Sequence, residues 1–201
     1  LEKYAVELVN VDSVAFRPFV SLFSSQSVKT CFSKVAIVTD DDRCTKKSET
    51  NYINKDLEYD DINSDVSDKL LSGTPSERCN ELETSCRDVG INVFKAKKTL
   101  EYALCCDEKN IEYFIEAIKS VYSQLGLALE QKVNSLHDMN EKAACVWLFI
   151  RARDKCKGAI AQYISQIIKK QCEMRKRGEN IKKEFVIPNY LKEAVYCVTE
   201  R

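Results

Sequence analysis

The sequence predicts an α/β fold, with a parallel sheet flanked by helices in the first half and a helical carboxyl-terminal part. Two observations predict it. Short β-branched apolar runs alternate with amphipathic stretches before residue 107, as in chains that form parallel sheets. After residue 107 the apolar residues recur with helical spacing. We therefore predict an α/β core over residues 1–106 and a helical part over residues 107–201 that packs on it.

The first part is predicted to contain three strands and two helices. In chain order these are a strand over 5–11, a helix over 14–25, a strand over 33–39, a helix from Thr74 to Val89 and a strand over 91–95. Gly90 is expected to end the second helix. Thr74 is its predicted N-cap, with Pro75 in the first helical position and Glu77 closing a capping box. Residues 43–73 are polar and lack sustained periodicity, which predicts a long surface loop.

The second part is predicted to be entirely helical. The expected helices cover residues 109–125, 140–153, 157–176 and 188–199. The first of them carries one apolar stripe at spacings of three and four residues, formed by Ile111, Phe114, Ile115, Ile118 and Val121. Such a stripe is typical of a helix that buries one face.

The composition excludes several classes of protein. The chain has 201 residues, 44% hydrophobic and 31% charged, and a formal net charge of zero. No apolar run approaches the length of a membrane span, so no membrane partner is expected. Ten cysteines without a C-x-x-C spacing, beside a single histidine, argue against a zinc site and favour reduced thiols in a cytoplasmic protein. No glycine-rich phosphate-binding motif occurs, so the chain itself is not expected to bind ATP.

The first candidate site follows the strand predicted over 33–39. Asp40, Asp41 and Asp42 end this apolar run abruptly, and open α/β sheets place their chemistry just beyond the carboxyl ends of the strands. Alternation along the chain puts Asp40 and Asp42 on one side and Asp41 on the other. Neighbouring carboxylates offer the oxygen ligands that Mg²⁺ and Mn²⁺ prefer. The alternative is a solvated turn after a strand, and the residues leave both open.

Two further candidates stand later in the chain. Glu101 comes just after the strand predicted over 91–95 and would emerge at the same sheet end as Asp40 and Asp42 if the strands are parallel neighbours. Its alternative role is that of a carboxylate favoured by the dipole in the first turn of a helix. Lys157 stands at a predicted helix start, where a cation near carboxylates would suit a phosphate. Its alternative role is that of an ordinary surface lysine.

Five segments resemble, in order, the Toprim nuclease region of the OLD (overcoming lysogenization defect) family of ATP-dependent endonucleases. Residues 8–19 (LVNVDSVAFRPF) resemble the family segment VVNVGGVAFRHF. Residues 38–42 (VTDDD) are similar to its hTDxD motif, and residues 98–102 (KTLEY) to its xTLEY segment. Residues 157–162 (KGAIAQ) resemble KGxFAQ, and residues 187–194 (IPNYLKEA) resemble the closing IPxYIxxAI helix. The resemblance covers most of the chain.

This resemblance implies a Toprim-like fold and a metal-dependent DNA endonuclease, in the class that includes phage-defence nucleases. It implies that Asp40 and Asp42 are metal ligands, that Glu101 is a metal ligand with a part in catalysis, and that Lys157 is a catalytic cation near the scissile phosphate. The implied cofactor is a pair of Mg²⁺ or Mn²⁺ ions about 3.5–4 Å apart. ATP would act only through a separate domain. The implied partners are DNA, an N-terminal ATPase domain or subunit, and further copies of the chain in a homo-oligomer.

The chain departs from the family pattern in three places. The family's Toprim region begins with a strand that ends in an acidic VEG motif, whose glutamate contacts metal, and Leu1 falls after that motif. The N-terminal ATPase domain is also absent from the sequence. Arg43 stands where the family often has proline. We therefore expect an N-terminally truncated nuclease region that is weak or inactive alone.

Two other classes of function stay open. A catalytically incomplete Toprim module would act in assembly or interaction. The missing upstream glutamate favours this class, whereas the presence of all four candidate residues disfavours it. A strand followed by D-x-D also occurs in metal-dependent phosphatases of the haloacid dehalogenase type and in nucleotide-sugar glycosyltransferases. The phosphatases require a small hydroxyl or β-branched residue two places after the second aspartate, where this chain has Cys44.

Overall fold

The computed structural model describes residues 6–11, 15–24, 34–43, 57–153 and 156–199. Over these residues the fold is mixed α/β, mostly helical with a two-stranded parallel sheet. The strands are β1 (Ala36–Asp40) and β2 (Asn92–Ala96), and a 3₁₀ helix spans Tyr59–Asp61. The helices are α1 (Arg17–Ser24), α2 (Ser64–Ser72), α3 (Glu77–Arg87), α4 (Leu100–Cys105), α5 (Glu108–Val121), α6 (Ser123–Ser135), α7 (Met139–Arg151), α8 (Cys156–Lys176) and α9 (Asn189–Thr199). Among these described helices, none is both long enough and apolar enough to cross a bilayer.

The chain divides into two compact units. The first comprises Leu1–Arg43, Thr74–Leu100 and Ile187–Arg201, and the second comprises Cys44–Gly73 and Glu101–Val186. Each unit has its own cluster of buried apolar side chains. The division into two consecutive domains inferred from the sequence stays a prediction.

The parallel sheet lies in the first unit. β1 and β2 are in register from Ala36, opposite Asn92, to Asp40, opposite Ala96. Helices α3 and α9 contact β2, and α9 also contacts β1. The apolar cluster of this unit consists of Val20, Ile37, Leu82, Cys86 and Ile91. Because the strands are parallel, the loops that follow them leave the sheet at the same edge.

Helix α7 is the centre of the second unit. Every residue from Ala143 to Ile150 is buried, as expected of a helix that is apolar all round and enclosed by others. It contacts α2, α5, α6 and the 3₁₀ helix. The rings of Tyr59 and Phe149 meet edge to face with their centroids 5.3 Å apart, which fastens the 3₁₀ helix to α7.

Two side-chain amides hold residues 183–186, which we call the clamped segment. Asn110 Nδ2 donates to the carbonyl of Val186, and Asn110 Oδ1 accepts from the N–H of Val186, both at 2.8 Å. Gln171 Nε2 donates to the carbonyl of Lys183, and Gln171 Oε1 accepts from the N–H of Phe185, both at 2.9 Å. The amides therefore satisfy backbone groups that a neighbouring strand or helix would otherwise satisfy.

The strand predicted over residues 5–11 is wrong for its described part. Residues 6–11 have no regular secondary structure, and Leu8 is 85% exposed. A strand needs a paired neighbour for its backbone groups. Within the described residues, the sheet consists of β1 and β2 alone, so this apolar run has no strand to pair with there.

The other elements of the first unit agree with the sequence in kind and differ at their ends. The helix predicted over 14–25 is present as α1, and the strands predicted over 33–39 and 91–95 are present as β1 and β2. Residues 14, 25 and 33 lie outside the described residues.

The polar loop predicted over residues 43–73 is also wrong where it is described. The 3₁₀ helix and α2 lie within it, and Tyr59, Ile62 and Leu70 are buried in the core of the second unit. These apolar side chains are few, but each reaches the core while the acidic residues between them stay exposed. Residues 44–56 of the predicted loop lie outside the described residues.

Helix α3 begins later than predicted. Ser76, rather than Thr74, is the N-cap, and its Oγ accepts from the N–H of Cys79 at 3.3 Å. The N–H of Ser76 donates to the carbonyl of Asp41 at 2.9 Å, which ties the start of the helix to the loop after β1. The predicted capping box with Glu77 is therefore wrong, because Glu77 is the first residue of the helix.

The helix predicted over residues 109–125 is two helices, α5 and α6, and the sequence prediction missed most of α6. Helix α4 was expected only in the alternative interpretation of Glu101, which places this residue in the first turn of a helix. The backbone breaks at Tyr122, with φ −130° and ψ 76°. Gly126 lies where α6 approaches α5 closely, since an added Cβ would lie 2.8 Å from Lys119 Cα. The helices predicted over 140–153, 157–176 and 188–199 are present as α7, α8 and α9.

Candidate metal centre

The loop after β1 is fastened to the loop after β2 by backbone hydrogen bonds. The N–H of Asp41 donates to the carbonyl of Ala96 at 3.0 Å, and the N–H of Asp42 donates to the carbonyl of Lys98 at 3.1 Å. Asp42 and Lys98 both have positive φ, 44° and 72°. Aspartate is one of the few residues other than glycine that tolerates this left-handed conformation. The three aspartates therefore stand on a defined backbone instead of a free solvated turn.

Asp41 is the buried carboxylate of this loop, with 3% of its surface exposed. Its Oδ1 accepts from the N–H groups of Lys98 at 2.8 Å and Arg43 at 3.0 Å. Its Oδ2 accepts from Nε of Arg43 at 2.9 Å and from Nη2 at 2.5 Å. Burial alone would raise the pKa of Asp41, but the hydrogen bonds from Arg43 and Lys98 lower that pKa below its usual value. Asp41 therefore ties the two loops together.

Asp42 points away from this buried network and forms an ion pair with α3. Nη2 of Arg78 donates to Oδ2 of Asp42. The side chains of Arg78 and Asp42 are 29% and 42% exposed. Within the described residues, Nη1 of Arg78 is buried without a hydrogen-bond partner. Asp42, which the sequence predicts as a metal ligand, is thus paired in this structure with the guanidinium of Arg78.

Asp40 ends β1 and is half-buried. It is paired in register with Ala96, the last residue of β2. Asp40 and Asp42 therefore lie on one strand end and its loop, as the sequence predicts, with Asp41 between them in a different role.

Glu101 and Lys157 are brought together in the second unit. Glu101 lies in the first turn of α4 and Lys157 in the first turn of α8. Nζ of Lys157 lies 3.8 Å from Oε1 of Glu101, with side chains 49% and 27% exposed. The sequence predicts both residues as site candidates, and the structure joins them as an ion pair.

Convergence of Asp40, Asp42 and Glu101 on one metal stays a prediction. The two aspartates belong to the first unit and Glu101 to the second. Across the described residues there is no group of three or more His, Cys, Asp or Glu side chains placed to hold an ion. The chemistry of the donors nevertheless fits Mg²⁺ or Mn²⁺, because all three are carboxylates.

Four of the described cysteines are poorly suited to act as nucleophiles. The eight that the structure describes are free, and Cys79, Cys86, Cys105 and Cys145 are buried. Burial raises the pKa of all four thiols, and that of Cys145 to about 12. Reactive cysteines require a lowered pKa, so these thiols act as small apolar side chains.

Arg43 and Arg78 are the site residues that sequence reasoning missed. Arg43 departs from the family pattern in the sequence, and in the structure its guanidinium binds Asp41. Arg78 carried no signal in the sequence, because it reaches Asp42 only through the fold.

Comparison with protein-family models, curated proteins and solved structures gives no match. The function of the chain is therefore inferred from its own residues, their geometry and the resemblance of its motifs.

Proposed function

We propose that the chain is the Toprim nuclease part of an OLD-like, metal-dependent DNA endonuclease. The observation that carries the proposal is the parallel pair β1–β2. Asp40 ends the first of these strands and Asp42 follows it, while Glu101 lies in the helix after the second. Parallel strands leave a sheet at one edge, which is where α/β enzymes place their chemistry. The five motif segments that resemble this family support the same assignment.

Each candidate residue has a distinct part in this proposal. Asp40 and Asp42 would hold one divalent ion, and Glu101 would help to hold the other. When bound, such ions neutralise the negative charge that develops on a phosphodiester during hydrolysis. Lys157 cannot be a ligand, because a protonated amine has no lone pair to donate. Its ammonium group lies 3.8 Å from Glu101 and would offset charge on the scissile phosphate.

The partners that we propose are those that the resemblance to the OLD family implies. The substrate is DNA, the working state is a cytoplasmic homo-oligomer, and ATP acts through an N-terminal ATPase domain or subunit. Hydrolysis by this chain would supply the nuclease step of a defence system against phage.

A supercoiled-plasmid assay tests the function. The whole gene product that contains this chain should relax the plasmid with Mg²⁺ or Mn²⁺ and should not do so in EDTA. Asp42→Asn should lower the rate by about 100-fold or more, because a divalent ion supplies several kcal/mol of transition-state stabilisation. Lys157→Ala should slow cutting without weakening Mn²⁺ binding, because a cation cannot be a ligand.

Asp65→Asn is the matched control, since Asp65 is an exposed carboxylate paired with Lys69 on α2. It should cut at the parent rate. Cutting in EDTA, or an Asp42→Asn protein that cuts like the parent, would show that the metal assignment is wrong.

A second candidate function is that of a catalytically incomplete module acting in assembly. Two observations favour it. Asp42 is already paired with Arg78, and the described residues contain no group of three side chains placed for a metal. This candidate predicts no plasmid relaxation under any metal, together with unchanged association of the chain with its partner proteins in the Asp42→Asn variant.

A further inference from the structure

We infer that Arg78 is the resident cation of Asp42, and that it competes with a divalent ion for this carboxylate. The inference rests on the proposed metal site and deepens it. Its first support is the ion pair itself, in which Nη2 of Arg78 donates to Oδ2 of Asp42. Both side chains are only partly exposed, so their mutual attraction is less screened than that of a pair in open water.

The backbone sets both partners of this pair in place. The N–H of Asp42 is held by the carbonyl of Lys98, and the N–H of Ser76 is held by the carbonyl of Asp41. Ser76 is also the N-cap of α3, so it fixes the first turn of the helix that carries Arg78. The loop that carries the aspartates therefore also positions the helix that carries Arg78. These backbone contacts place the guanidinium beside Asp42 without any contribution from the ion pair itself.

The pair is built so that another cation can displace Arg78. Nη2 of Arg78 donates to Asp42, while Nη1 has no hydrogen-bond partner within the described residues. Two parallel bonds would make a stronger, bidentate pair. A divalent ion brings twice the charge of a guanidinium to the same carboxylate, so its Coulomb attraction to Asp42 exceeds that of Arg78 at equal distance.

Asp41 shows the contrasting arrangement. It is almost fully buried and accepts hydrogen bonds from both the backbone and the side chain of Arg43. A divalent ion could not replace Arg43 in the same way, because both carboxylate oxygens of Asp41 already accept hydrogen bonds. Of the two arginine-bound aspartates, Asp42 is the one that an ion from solvent can reach.

The test measures Mn²⁺ binding by titration calorimetry on the full chain, with no activity readout. Arg78→Gln should tighten Mn²⁺ binding by about threefold or more, the range expected when a competing, partly exposed ion pair is lost. Arg78→Lys retains a competing charge and should bind like the parent. The double variant Asp42→Asn/Arg78→Gln should lose the gain, which would locate the ion at Asp42.

Arg17→Gln is the matched control. Arg17 forms an ion pair with Glu81 of α3 at 2.7 Å, in the same unit and with more exposed side chains. Circular dichroism on every variant establishes that the fold is retained.

The inference is overturned if parent and Arg78→Gln bind Mn²⁺ equally, if neither binds, or if Arg17→Gln tightens binding as much as Arg78→Gln does. The proposed function fails separately. A gene product that cuts no DNA, while Arg78→Gln still tightens Mn²⁺ binding, would overturn the nuclease assignment and leave the competition at Asp42 standing.

Discussion

Asp41 keeps its negative charge in a site that water scarcely reaches. The charge is stabilised by N–H groups from Arg43 and Lys98 and by the Arg43 guanidinium. Buried carboxylates of this kind are costly to break, because removing one partner leaves the others unsatisfied. The residue thus joins the end of β1, the loop after β2 and an arginine in one network.

Replacement of Asp41 by asparagine should lower the free energy of unfolding by about 1–3 kcal/mol at pH 7. The pKa of Asp41 lies below its usual value of 3.8 in the folded state. Its contribution is therefore complete above about pH 4 and is lost as the pH falls through the folded-state pKa. Urea unfolding of parent and Asp41→Asn should show a gap at pH 7 that narrows steadily below pH 4.

Asp65→Asn serves as the comparison, since its exposed ion pair with Lys69 contributes little. It should change the free energy of unfolding by less than about 0.5 kcal/mol. Equal losses for the two substitutions at pH 7 would contradict the role given to Asp41.

For single residues, the sequence predicted where the candidate side chains lie in the chain but did not predict which side chains they contact. Asp40, Asp42, Glu101 and Lys157 stand at the ends of elements, which local patterns can locate. The contact of Arg78 with Asp42 joins a helix to a strand-end loop, and only the folded chain brings those two side chains together.

Helices α5 and α6 approach so closely that their contact leaves no room for a side chain at Gly126. An added Cβ there would lie 2.7 Å from Lys119 Cγ and 2.8 Å from Lys119 Cα. Gly158, in the first turn of α8, is the opposite case, because a Cβ would meet nothing within 4 Å. Substitution of Gly126 therefore tests the packing between two helices, and substitution of Gly158 tests helix propensity alone.

Gly126→Ala should destabilise the chain by about 1–3 kcal/mol, since the Lys119 backbone must move to admit the methyl group. Gly158→Ala should stabilise it by up to about 1 kcal/mol, because alanine restricts the unfolded chain and favours the helix. Thermal unfolding followed by circular dichroism measures both. Changes of the same sign in the two variants would show that packing at α5–α6 is looser than described.

The elements that could be predicted are those with a strong local signal. β1 is a β-branched run that ends in aspartates, β2 is a short segment with Val93 and Phe94 just after Gly90, and α7 to α9 are long periodic segments. Gly126 obscured α6, because a glycine is a poor helix former unless packing requires it. The density of acidic residues hid α2, whose burial depends on contacts with α7.

Across the whole molecule, cysteine serves as a core residue in both units. Cys79 and Cys86 are fully buried in the first unit, and Cys105, Cys145 and Cys156 in the second. Free cysteine packs as a small apolar side chain. The eight described thiols are all free, as the absence of a C-x-x-C spacing and the placement of the cysteines in apolar or helical segments predict.

Titration with a thiol reagent should therefore find ten free thiols in the denatured, unreduced chain, the number of cysteines in the sequence. In the native chain the five buried thiols should react only as fast as the protein unfolds, because a reagent cannot reach them in the folded state. Two time courses, with and without denaturant, measure this. A total well below ten would reveal cross-links.

The clamped segment limits how this chain can vary in length. Asn110 binds Val186, and Gln171 binds Phe185 and Lys183. These bonds fix the number of residues between the backbone groups that Gln171 and Asn110 bind. Insertion of one amino acid within 183–186 would move the backbone partners of one amide out of reach, while the partners of the other amide would stay in place. This irregular segment between two helices should therefore not tolerate insertions or deletions. Substitutions other than proline should be tolerated, because they retain the backbone N–H and carbonyl groups that the amides bind.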